Sequence, residues 1–144
     1  EDAADVFGIT APGTDVSSGR LSLDGYVHVA RELSERYGPA RVGITLRGSV
    51  SASVNTWSGL LYGGERVHTA PEYRMDIVDR VGGGDAFAGG LVYALSTGMP
   101  DDEAIRFAVA ASCLKHSIEH DFNLVSVAEV AALAAGSVSG RVQR

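Results

Sequence analysis

Three consecutive glycines, residues 82–84, stand between a strand-like and a helix-like segment in the run Asp79-Arg80-Val81-Gly82-Gly83-Gly84-Asp85. Each glycine costs roughly 0.5–1 kcal/mol relative to alanine. A tight turn needs one glycine, so three in succession point to backbone N–H groups that must approach a ligand closely. At a helix N-terminus those groups lack intrahelical acceptors, and the helix dipole favours an anion. The run reads as a phosphate-cradling turn whose amides are placed to stabilise a phosphoryl group as charge develops on it. Asp85 follows at once. As a first-turn carboxylate it would contribute about 0.5–2 kcal/mol. Beside a phosphate it would be repelled, unless a substrate hydroxyl lies between them and gives Asp85 its proton as the oxygen attacks phosphorus. On the residues alone these two readings are equally good. In a loose transition state a weakly basic carboxylate suffices, because positioning does most of the work.

No lysine and Ser/Thr pair follows the glycines, so the turn is not a Walker A loop, and the spacing is not the Gly-x-Gly-x-x-Gly of a Rossmann turn. Gly89 and Gly90 inside the following helix are expected to mark close packing of helix against sheet.

A chain of 144 residues, 45% hydrophobic and 21% charged, is long enough for one domain with a real core. No apolar run approaches the roughly 20 residues that span a bilayer, and residues 1–20 are not expected to act as a signal peptide. Four histidines and the single Cys113 form no disulfide and no zinc cluster. Cys113 reads as a small buried hydrophobe in a protein of a reducing, cytoplasmic compartment. A net charge of −6 without a basic stripe argues against nucleic acid or an anionic membrane as partner. A phosphorylated ligand stays compatible with that charge, since backbone amides bind anions without lysines. Glu1-Asp2-Ala3-Ala4-Asp5 begins inside what reads as the first turn of a helix, so the chain is expected to be part of something longer.

Tyr26, Val29, Ala30, Leu33 and Tyr37 recur at helical spacing, predicting a helix over 22–37 that Gly38-Pro39 ends. Val42, Ile44 and Leu46 alternate as a strand over 41–46. Segments 57–62 and 65–69 flank Gly63-Gly64 as a hairpin, and a strand over 73–78 leads into the glycine turn. A helix over 85–96 presents Phe87, Leu91 and Leu95. Pro100 and three acidic residues open a second helix, with Ile105, Val109, Ser112, Cys113 and His116 as its buried face. Ser126-Val127-Ala128-Glu129 is a capping box for a last helix closed by Gly136. Residues 1–136 are expected to form the folded part, and 137–144 a polar tail that frays.

The stretch Asp79-Arg80-Val81-Gly82-Gly83-Gly84-Asp85-Ala86-Phe87-Ala88-Gly89-Gly90-Leu91 resembles the C-terminal signature of the ribokinase-like (PfkB type) carbohydrate kinases, usually Asp-Thr-x-Gly-Ala-Gly-Asp-x-Phe-x-x-Gly. The resemblance implies that Asp85 is the catalytic base, next to the substrate, and that Gly82, Gly83 and Gly84 form the anion hole. It implies that Asp79 supports the loop and, in some members, a nearby monovalent cation. Arg80 replaces the usual threonine and Gly83 the usual alanine. The run is similar to a variant found among 2-keto-3-deoxygluconate kinases. Thr45-Leu46-Arg47-Gly48-Ser49 falls where family members place a strand-to-loop turn against the nucleotide, which makes Thr45, Arg47, Gly48 and Ser49 nucleotide-binding candidates. On the residues alone, Arg47 reads equally as a solvated surface arginine. His120-Asp121-Phe122-Asn123 resembles a Gly-Asp-Phe-Asn stretch whose aspartate contacts the sugar acid, so Asp121 is a substrate-binding candidate. Glu119-His120 stand in place of the usual Pro-Gly. His116 and His120 are expected to be structural or solvent-exposed, and Trp57 and Tyr62 to be hairpin packing.

The resemblance covers nearly all 144 residues but only the C-terminal half of a family member. The family's Asn-x-x-Glu, which helps organise Mg²⁺, would fall at or just before Glu1-Asp2. The expected fold is α/β: the C-terminal part of a ribokinase-like doubly wound sheet, with helices on both faces and a hairpin near the nucleotide site. The implied activity is ATP- and Mg²⁺-dependent phosphorylation of a sugar-acid hydroxyl, 2-keto-3-deoxygluconate first. Fructose, ribose or another keto-sugar acid, and a non-catalytic nucleotide-binding or oligomerising fragment, are the alternatives. Family members often dimerise through a lid that lies outside this stretch.

Overall fold

The computed structural model describes residues 2–10 and 22–136. Glu1 and the expected tail 137–144 lie outside the described residues. In chain order the elements are α1 Asp2–Phe7, α2 Leu23–Tyr37, β1 Arg41–Ser49, β2 Val54–Gly63, β3 Arg66–Thr69, β4 Tyr73–Asp76, α3 Gly83–Ser96, α4 Asp101–Lys115 and α5 Val127–Ala134.

The long central strand β2 organises the sheet. Its whole length pairs antiparallel with β1, from Arg41 opposite Gly63 to Ser49 opposite Asn55. Along its other edge β3 takes the C-terminal half and β4 the N-terminal half, both antiparallel. Strand alternation then sorts the core into two faces. Leu46, Leu60 and Tyr62 pack under α2 around Ala30. Trp57 and Leu61 face the other way, onto Phe87 of α3 and Ile105, Val109 and Cys113 of α4. Helices therefore cover both faces of the sheet, the expected α/β layering. The expected buried face of α4 is all buried, and so are Ala104, Phe107, Ala108, Ala110, Ala111 and Lys115. That helix is central because it packs between the sheet, α3 and α5.

Local chemistry explains most boundaries. The Ser22 hydroxyl accepts the Gly25 amide to start α2, and Gly38, at φ 69°, closes it. The Ser126–Glu129 capping box opens α5 in both directions. Several boundaries differ from expectation: β2 begins at Val54 rather than at 57, β4 ends at Asp76 rather than at 78, and α3 begins at Gly83 rather than at 85. The β2–β3 turn sits on Gly64 and Glu65, at φ 55° and 63°, rather than on Gly63-Gly64. Two consecutive left-handed residues make a type I′ turn, the form that matches strand twist. Residues 45–49 are the second half of β1 rather than a strand-to-loop turn, since full pairing with β2 outweighs the weak strand preference of Gly48 and Ser49.

The two ends of β2 serve different purposes. Near Gly63, the Arg41 guanidinium donates to Asp101 at 2.8 Å, tying that end to the start of α4. The other end lies beside the glycine turn: the Arg80 guanidinium donates to the Ala52 carbonyl at 2.9 Å, in the connection between β1 and β2. The hairpin that reaches the turn is thus β1–β2 rather than β2–β3.

Candidate active site at the start of helix α3

Gly82 is the N-cap of α3, in the left-handed region at φ 78°, and no side chain caps the helix. Gly83 donates its amide to Arg80 O at 3.2 Å and Ala86 its amide to Gly82 O at 2.8 Å. The amides of Gly82, Gly84 and Asp85 have no acceptor among the described residues. These are the orphan donors of a helix start, although Gly83 contributes its own to the turn rather than to a ligand.

The three glycines have different reasons. A Cβ on Gly82 would lie 2.5 Å from the Asp121 carbonyl, and one on Gly83 would lie 2.6 Å from the His116 ring. Around Gly84 a Cβ would meet nothing within 4 Å. The fold explains the first two. Gly84 faces open space, so no contact within the fold excludes a side chain there. Inside α3, Gly90 packs against Ala108 and Ala111 as expected, but Gly89 does not: a Cβ there would meet nothing within 4 Å.

Asp85, at the third position of the helix, is exposed, and its carboxylate makes no hydrogen bond or ion pair among the described residues. It is not a capping group. Gly82, Asp85 and Asp121 line one cavity of about 360 Å³ between α3, α4, α5 and the segment after α4. Two aspartates from distant parts of the chain thus line the same space as Gly82.

Asp79 holds that geometry. Its carboxylate accepts the Val81 amide within the turn and the His120 amide from the segment after α4, both at 2.9 Å. These two bonds, first Val81 and then His120, hold its pKa below the usual 3.8, helped by the Lys115 charge. His120 has φ 66°, the left-handed conformation that the usual glycine adopts freely. Asn123 anchors the same segment through its amide to Ala111 O.

The C-terminal turn of α4 is the floor of the site. Ser112 Oγ donates to Gly83 O at 2.7 Å, and the His116 carbonyl accepts the Val78 and Asp79 amides. His116 is buried, its Nδ1 is 2.7 Å from Ser112 O, and its ring lies 4.7 Å from that of Trp57. Burial lowers its pKa from 6.5, and the charges of Lys115, Arg80 and Arg47 push the same way. His116 and Trp57 are thus structural, as expected, and Tyr62 is buried under α2.

Arg47 stands opposite Trp57 on β1, close enough for its charge to reach His116. Alternation puts Thr45, Arg47 and Ser49 on the α3 face and Gly48 on the other. Two contributors escaped the sequence reading. Arg80 was only a departure from threonine, yet it ties the turn to β1–β2. Lys115 is fully buried beneath Gly82. No group of three His, Cys, Asp or Glu is placed to hold a metal ion among the described residues, and none of their helices is long and apolar enough to cross a membrane.

Residues 3–118 match the pfkB family carbohydrate kinase pattern. The crystal structure of 2-dehydro-3-deoxygluconokinase from Thermotoga maritima is 41% identical, with a TM-score of 0.86 over 94% of this chain and 40% of that one. A PfkB family carbohydrate kinase from Listeria grayi is 30% identical, with a TM-score of 0.74 over 93% of this chain and 38% of that one. A 2-dehydro-3-deoxygalactonokinase of Haloferax volcanii is 32% identical over 77 residues, 54% of this chain and 24% of that protein. The chain spans two-fifths or less of the length of each of these relatives. With its signature turn, its layering and this match, the chain belongs to the pfkB family of carbohydrate kinases.

Proposed function

We propose that the protein carrying this chain transfers the γ-phosphoryl group of ATP to a hydroxyl of a 2-keto-3-deoxy sugar acid, with 2-keto-3-deoxygluconate as first candidate. The observation that carries this reading is the pairing of Gly84, open on its outer side, with an unpartnered Asp85 carboxylate one residue on. Asp85 accepts the proton of the attacking hydroxyl. The oxygen forms a bond to the γ-phosphorus, the bond from that phosphorus to the bridging oxygen breaks, and ADP leaves. The open amides of Gly82, Gly84 and Asp85 stabilise the charge on the transferring group. Asp121 orients the sugar acid from across the cavity, and Arg47, with Thr45 and Ser49, flanks the nucleotide.

ATP fits this end of α3, because an anion there meets both unpaired amides and the positive end of the dipole. Mg²⁺, when bound, would spread charge over the phosphates. No group of three His, Cys, Asp or Glu among the described residues is placed to hold it, and Glu1 or Asp2, where the family's Asn-x-x-Glu would fall, is the candidate to help organise it beside the substrate phosphates. Residues 1–136 form the nucleotide-side portion of one kinase domain, and ATP as donor sets the reaction in the cytoplasm. The similarity to kinases of deoxygluconate and deoxygalactonate supports the sugar-acid class.

The test is a coupled ADP-release assay of the full-length protein against 2-keto-3-deoxygluconate, 2-keto-3-deoxygalactonate, fructose and ribose. Turnover highest on a keto-deoxy acid is expected. Preference for fructose or ribose would refute the substrate class, and ATP binding without turnover on any of them would refute the kinase reading.

A further inference from the structure

Lys115 is wholly shielded from solvent at the last position of α4. Lysine is almost never fully buried unless it is paired. Here the ammonium donates to one neutral acceptor, the Ile118 carbonyl at 3.0 Å, and has no carboxylate within ion-pair distance among the described residues. A lysine at a helix C-terminus gains from the dipole, but less than an unpaired buried charge costs. A reason beyond helix capping is required. The side chain passes directly beneath the phosphate turn: its Cε would lie 3.2 Å from a Cβ on Gly82. Its charge reaches Asp79 and His116, the groups bracketing the turn.

We propose that the Lys115 ammonium is the permanent cation of the glycine turn, a positioning residue that balances Asp79 and an incoming phosphoryl group from within the chain, so that neither nucleotide binding nor turnover requires potassium or sodium. An alkali ion would need the acceptors Lys115 already uses, the Ile118 carbonyl with Asp79 nearby, and would sit against a like charge. The residues at Asp79 thus do not fit the monovalent-cation role that the family resemblance suggests for this aspartate. The buried ammonium makes no close ion pair, which leaves its charge to act on both Asp79 and the substrate's phosphoryl group.

This inference rests on the kinase reading, and two measurements on the full-length protein separate them. The first is kcat, and calorimetric ATP affinity, in potassium, sodium and tetramethylammonium salts at equal ionic strength. Both are expected to be the same in all three, and activation or tighter binding by potassium or sodium would overturn the proposal. The second is Lys115→Met, which keeps the volume and removes the charge. Its melting temperature should hold or rise, since a buried charge replaced by an apolar group of similar size is often neutral or stabilising. Its ATP affinity and kcat should each fall at least about tenfold, with the sugar-acid KM little changed. A folded Lys115→Met protein with unchanged ATP affinity would show a merely structural lysine. Should Lys115→Met fail to fold, the cation series on the unaltered protein still decides. If ATP binds but no sugar is phosphorylated, the kinase reading fails and the affinity measurements still decide for or against Lys115. If the unaltered protein binds no ATP, the proposal falls.

Discussion

The Asp79 carboxylate accepts the His120 amide at 2.9 Å, joining the glycine turn to a segment 41 residues further along the chain. This bond brings the backbone of Asp121 against Gly82 and sets Asp85 and Asp121 on one cavity. Replacing Asp79 with alanine removes both amide contacts and lets the two carboxylates drift apart. A misplacement of about 1 Å can cost 10²-fold, so kcat in Asp79→Ala is expected to fall by about that factor, read in the coupled assay. Asp79 is also held below its usual pKa, so its contribution to stability is full above pH 3.8 and is lost as pH falls through its folded value.

Gly84 should trade stability against activity. Alanine meets no neighbour there, and in an early helical position it gains about 0.5–1 kcal/mol over glycine. Gly84→Ala is expected to melt at a higher temperature yet lose ATP affinity, because the methyl group occupies the approach to the open amides. Gly83→Ala should melt lower, since its methyl would strike the His116 ring at 2.6 Å. Thermal melts with ATP titration of both variants check the pair.

His120 holds a left-handed backbone in which a side chain is strained. His120→Gly is expected to stabilise the fold by about 1 kcal/mol while retaining the amide that Asp79 accepts. A chemical-denaturation midpoint measures this, and a fall in midpoint would contradict it.

His116 is buried and favours its neutral form, so its folded pKa lies below 6.5. The unfolded chain then binds the proton more readily, and stability present above pH 6.5 declines as pH falls below it, by at most about 1.4 kcal/mol per pH unit for one proton. His116→Gln should flatten this step in melts recorded against pH. Cys113, whose thiol burial pushes up to about 12, should resist thiol reagents in the native state and react after unfolding.

The helices were legible because their signals are local: the Gly38 stop, the Ser126–Glu129 box and the apolar spacing of α4 all lie where the structure has them. The turn was legible as a turn because three glycines separate a strand pattern from a helical one; that Asp121 and His116, far along the chain, require two of them was not. What escaped depended on partners far along the chain. Gly48 and Ser49 look like loop residues and become strand only through pairing with Thr56 and Asn55 of β2. Gly89 and Gly90 look alike in sequence, and only Ala108 and Ala111 of α4 make one of them a packing position. A lysine in a last helical turn normally reaches water, and Lys115 does not because the turn at Gly82 and the segment from Ile118 close over it.

The central claim is that Asp85, uncapped and unpartnered, takes the proton of the attacking hydroxyl. Asp85→Asn keeps the shape and removes the base. Steady-state kinetics with calorimetric ATP binding on the full-length protein are predicted to show a loss of kcat of at least about 10²-fold with ATP affinity essentially unchanged. Turnover close to that of the unaltered protein would contradict the account.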